Sequence, residues 1–94
     1  MRFKVFQIRK AEAKRDAEHY ILASSMTRAV NAVYNKYNMT TGLVFPYDVP
    51  SLDNLHLCVL RDGKRKFFIK EVQDEALIKT LDTQHRIMPV DEYQ

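Results

Sequence analysis

The sequence has two glycines (Gly42 and Gly63), one cysteine (Cys58) and three prolines. Two isolated glycines cannot build a phosphate-cradling loop, which needs several of them close together. A single cysteine excludes an internal disulfide and matches a reducing compartment. No apolar run approaches the roughly 18 residues that cross a bilayer. The opening "MRFKVFQIRK" alternates charge with bulk and lacks the apolar centre of a signal peptide. The expectation is a soluble, cytoplasmic protein with no membrane partner.

Catalytic constellations are also scarce. The acids Asp48, Asp53, Asp74, Glu75, Asp82, Asp91 and Glu92 form no pair in an apolar setting. His56 and Cys58 share a strand face at i, i+2, but a closed transition-metal site needs about two further ligands. His19 and His85 have no ligand spacing relative to them. A partly buried histidine beside a core thiol accounts for that pair better. A sulfur nucleophile activated by His56 is disfavoured, because side chains two apart on a strand project in parallel. No catalytic residue, metal or cofactor is expected, and the chain reads as non-enzymatic.

What is present is apolar patterning and unevenly placed charge. With 94 residues, 46% of them hydrophobic, residues 1–94 read as one domain with a thin core. Fifteen Lys and Arg against twelve Asp and Glu give a formal charge of +3. Residues 1–16 carry six of the cations and two acids, and residues 61–71 five cations and two acids. Together those segments hold a surplus of +7, so the rest of the chain sums to −4. Brought side by side they make one positive face, suited to phosphate or an acidic protein surface.

Residues 2–9, "RFKVFQIR", read as a strand with Phe3 and Val5 on one face and Phe6 and Ile8 on the other. Apolar residues on both faces suit a central strand, or one with a bulge that swaps its faces. Met26, Ala29, Val30, Val33, Tyr34 and Tyr37 recur at helical spacing and predict a helix over about 25–37. Ser25 is its candidate N-cap and Asn38 its left-handed stop. The preceding segment has two readings. A continuous helix from Ala11 would have to switch its buried side near Ser24–Ser25. A strand over Glu18–Ala23 explains "HYIL" and the serine cap together and is the preferred reading.

Residues 39–54 hold Gly42, Pro46 and Pro50 and read as a long connection with a short edge strand at Leu43–Phe45. Tyr47 in it is a candidate contact residue, with a core-capping loop as the plainer alternative. Residues 55–61 and 64–72 alternate as two strands of a hairpin turning at Asp62-Gly63. In the returning strand Arg65, Phe67, Ile69 and Glu71 oppose Lys66, Phe68, Lys70 and Val72. Residues 73–82 read as a short helix packed through Leu77, Ile78 and Leu81, with acids at its start. Ile87, Met88 and Val90 could supply a final edge strand. The fold class is therefore α+β: a mainly antiparallel sheet of four to five strands, with one main helix on one face.

The candidate binding residues are Arg2, Lys4, Lys64, Arg65, Lys66, Phe68 and Lys70, with Tyr47 as a separate contact. Lysines flanking Phe68 could hold phosphates while the ring stacks on a base. The plainer reading is a wet sheet face whose edge lysines discourage aggregation.

With the order strand, turn, strand, "ASS"-capped helix, loop and "DGK" hairpin in hand, "YILASSMTRAVNAVYNKY" and "RDGKRKFF" resemble small phage-encoded β-β-α-β-β proteins such as small anti-CRISPR proteins. The likeness is one of pattern over residues 1–72. The segment 73–82 and the 38–54 loop depart from it, and it carries over no functional residue. It implies a phage- or mobile-element-type inhibitor that binds a host protein or protein–nucleic acid complex, in the host cytoplasm. Direct DNA or RNA binding is the alternative, and a sequestering or structural homo-oligomer, at its simplest a homodimer, is a third reading.

Overall fold

The computed structural model describes residues 3–10, 18–38, 57–62 and 65–94. They form β1 (Lys4–Lys10), β2 (Glu18–Ala23), α1 (Met26–Lys36), β3 (Leu57–Asp62), β4 (Arg65–Val72), α2 (Glu75–Thr83), β5 (Ile87–Pro89) and α3 (Val90–Tyr93). The α+β expectation holds: one five-stranded sheet in the order β3-β4-β1-β2-β5. Among the described strands, the β1–β2, β1–β4 and β3–β4 pairings are antiparallel and the β2–β5 pairing is parallel.

β1 is a central strand, as apolar residues on both its faces require. Phe6 and Ile8 lie opposite Ile21 and His19 on β2 and opposite Glu71 and Ile69 on β4. They share one face with Ala23, Leu60 and Phe67. That face buries the main core against Ala29, Ala32 and Val33 of α1 and Tyr93 of α3. Val5, Tyr20, Leu22 and Val72 are on the reverse face, under Ile78 and Leu81 of α2. The strand directions make β4 and β5 parallel, so α2 is the crossover between them. It passes over one half of the reverse face only.

The strand reading of Glu18–Ala23 is the one the fold adopts. It lets α1 begin cleanly: Ser25 is extended (φ −159°, ψ 164°) and its Oγ accepts from the Arg28 amide at 3.2 Å. Asn38 closes the helix with φ 50°, in the left-handed region that asparagine tolerates. Tyr34 and Tyr37 pack between helix and sheet, and the Tyr37 ring lies 4.6 Å from Phe67.

Packing of the second helix departs from the pattern in one respect. Asp74 caps α2 by accepting from the Ala76 and Leu77 amides, Leu81 is buried and Ile78 packs beside it. Leu77 instead stays 40% exposed. It sits on the flank of α2 beside Gln7 and Lys70, where no described element forms a second layer over the sheet. The final segment is more ordered than an edge strand alone. After Ile87–Pro89 the chain turns through α3 and drives Tyr93, 1% exposed, into the main core.

Tyr47, His56, Arg2, Lys64, the Leu43–Phe45 strand, the 11–17 turn and Gly63 lie outside the described residues.

Candidate functional site

Among the described residues, the α2 crossover leaves the reverse face of β4 and of the C-terminal half of β1 uncovered. Alternation along β4 places Lys66, Phe68 and Lys70 there and sends Phe67 and Ile69 into the core. Alternation along β1 adds Gln7 and Arg9. The register sets Arg9 opposite Phe68, and Gln7 opposite Lys70.

Phe68 is half-buried, and two cations converge on it. The Arg9 guanidinium carbon is 5.1 Å from the ring centroid and the Lys66 ammonium 5.3 Å. Both distances fall within the range at which a ring quadrupole attracts a cation. Arg9, Lys66 and Lys70 are exposed, so their charged ends remain in solvent. Glu18 is the acid opposite Arg9 in the register, and its carboxylate accepts from the Tyr20 hydroxyl at 3.2 Å. Gln7 Nε2 in turn donates to the Tyr20 oxygen at 3.2 Å. This chain of side chains marks the border between the open half and the half under α2. Beyond Lys70 the surface dips into a cleft of about 460 Å³ lined by Gln7, Lys70, Glu71, Val72, Gln73, Asp74 and Leu77.

The geometry divides the residues that charge alone had grouped. Lys66, Phe68 and Lys70 stand together as expected. Lys4 does not join them: its even position puts it on the α1 face, where its Nζ lies 3.5 Å from Glu71. Arg65 also turns to the α1 side, where its guanidinium donates to the Tyr37 carbonyl at 2.9 Å and serves the C-terminal end of α1. Arg9 takes the place expected of Lys4. The signal for it was in the sequence, since a residue three positions after Phe6 must lie on the face opposite the core. What single-strand alternation could not supply was the pairing of β1 with β4.

Among the described residues, no three His, Cys, Asp or Glu side chains gather as a metal set, and no described helix is long and apolar enough to cross a membrane. Comparison of the chain with known protein families, with curated proteins and with solved structures finds no match.

Proposed function

We propose that this chain is a non-enzymatic binding protein that takes an anionic partner on the open half of its sheet. One observation carries the reading: Arg9 and Lys66 converge on the Phe68 ring, with Lys70 next along β4, on a face that no described helix covers. A face kept wet only for solubility has no need to hold two cations at one aromatic ring. Holding them there lowers the side-chain entropy lost when they meet an anion.

The pattern-level likeness to small anti-CRISPR proteins supplies a narrower form of the same reading. In that form the chain is an inhibitor from a phage or mobile element, acting in the host cytoplasm on a complex that handles nucleic acid.

Two measurements test the proposal. On immobilised heparin, the Arg9→Ala/Lys66→Ala/Lys70→Ala variant elutes at clearly lower salt than the parent; unchanged elution refutes the open half as the binding face. In nuclease-treated bacterial lysate, the inhibitor form predicts a stoichiometric host complex retained by the parent chain and released by that variant. Equal retention by both refutes the inhibitor acting through this face.

A further inference from the structure

We infer that the partner of the open face is a single strand of nucleic acid, with one base against Phe68 and its phosphates on Arg9, Lys66 and Lys70. The inference rests on the reading of that face as the binding site and names what occupies it.

Three features favour an unpaired strand over an acidic protein or a duplex. The first is the mixture at Phe68. A protein anchor needs a desolvated apolar pocket, whereas this ring is ringed by hydrated cations 5.1 and 5.3 Å away. A nucleobase offers a π face that can take the place of a cation over the ring, and the displaced cation then meets the adjoining phosphate.

The second is width. Neighbouring strands are about 4.8 Å apart, so the three strands β3, β4 and β1 give a floor only about 10 Å across between their outer axes. The α2 helix, about 10–12 Å thick with its side chains, stands as a wall along the other half. A floor with one wall beside it seats a strand laid along β4, and only an unpaired base can turn its face to Phe68.

The third is the order of charges. Lys66 and Lys70 are four residues apart on β4, about 13 Å, so a polyanion meeting both runs along the strand. Past Lys70 the cleft is lined by Glu71 and Asp74 as well as by Gln7, Gln73 and Leu77. Its size and mixed lining suit a neutral base, and the Asp74 carboxylate beside it is already engaged as the α2 cap.

The test is a fluorescence-anisotropy titration with labelled 12-mers of oligo-dT and oligo-U, and with a duplex of equal length. Inorganic polyphosphate and polyglutamate serve as competitors. The expected result is binding of a single strand at least tenfold tighter than of the duplex. The logarithm of its affinity should fall with the logarithm of salt at a slope of about −2, as three phosphate contacts on a single strand give. Phe68→Ala and Phe68→Leu should each weaken the oligonucleotide by at least about fivefold, the lower end for loss of one stacked base. Polyphosphate binding should stay unchanged. Circular dichroism checks that both variants fold, and the Leu variant keeps an apolar side chain of similar bulk without the π face. The ratio of oligo-U to oligo-dT affinity tells RNA from DNA.

The inference is overturned if the Phe68 variants leave the oligonucleotide-to-polyphosphate ratio unchanged, if the duplex competes equally, or if polyglutamate displaces the strand at lower charge concentration. In each of those cases loss of binding in Arg9→Ala/Lys66→Ala/Lys70→Ala still upholds the face as the site. If none of these polyanions binds, or that variant binds them all as the parent does, the binding-face reading fails too.

Discussion

Phe67 and Phe68 are adjacent in sequence and opposite in environment. Phe67 is fully buried in the main core against Tyr37, while Phe68 is half-buried beneath two cations. Phe67→Ala should therefore destabilise the fold by about 3–5 kcal/mol, the range for emptying a packed aromatic site. Phe68→Ala should cost no more than about 1–1.5 kcal/mol, from partial burial and exposed cation–π contacts. Urea denaturation of the two variants checks this; equal losses would mean that Phe68 is structural.

Tyr93 is the other residue whose environment carries a consequence. Its hydroxyl is buried and has no hydrogen-bond partner among the described residues. Burial, and secondarily the neighbouring Tyr37 phenol, push its ionisation well above the ordinary tyrosine value of 10.0. A pKa raised in the folded state gives stability that is full below the unfolded value and falls as pH climbs past it. Unfolding free energy should thus decline above about pH 10. Tyr93→Phe should flatten that decline and leave neutral-pH stability equal or up to about 1 kcal/mol higher, since an unpaired buried hydroxyl is removed. Denaturant midpoints at pH 7 and pH 10.5 measure both effects; a Phe variant less stable at pH 7 would show that the hydroxyl has a partner.

At the scale of elements, the helix ends show where local chemistry fixes a boundary. Asp74 caps α2 through two amides, and Asp74→Ala should cost about 0.5–2 kcal/mol. At the other end His85 has φ 54°, and the Arg86 amide reaches the Leu81 carbonyl at 2.9 Å. A residue with a Cβ carries strain in that left-handed stop, so His85→Gly should raise stability by up to about 1 kcal/mol. Thermal unfolding of the two variants should shift in opposite directions; a loss in His85→Gly would mean that the imidazole itself makes a contact worth more than the strain.

These elements differ in how far the sequence announced them. α1 was legible because a stripe from Met26 to Tyr37, a serine before it and an asparagine after it all agree. β1 declared itself central by burying Phe6 and Ile8 on one face and Val5 on the other. The edge strand read at Ile87, Met88 and Val90 appears as β5, but its parallel pairing and α3 were not legible. Three residues are too few to show a period, and Tyr93 enters the core only because β5 pairs in parallel with β2 and carries it there. The exposure of Leu77 was hidden for a related reason: helical spacing identifies an apolar side, but not where the sheet beneath it stops being covered.

At the scale of the whole molecule, the proposed function rests on the unequal coverage of one sheet. α1 and α3 cover one face, and α2 crosses half of the other. The half left open among the described residues brings a basic segment near the start of the chain against another near residue 70. The charge surplus in residues 1–16 and 61–71 foreshadowed that meeting, and the alternation of β4 identified Lys66, Phe68 and Lys70 correctly as one side. The partner cation was less accessible: parity excludes Lys4 from this face, but only the β1–β4 register shows that Arg9 lands on Phe68.

The most direct test of this account compares Lys4→Glu with Lys70→Glu. The two changes alter net charge equally and differ in the face they occupy, with Lys4 beside Glu71 on the α1 side and Lys70 on the open half. With anisotropy of a labelled single-stranded oligonucleotide at low salt as the readout, Lys70→Glu should weaken binding by about tenfold or more, as loss and reversal of a phosphate contact requires. Lys4→Glu should remain within about twofold of the parent, as expected for a charge outside the contact. Equal weakening by the two, or a larger effect at Lys4, would contradict the open half of the sheet as the binding face.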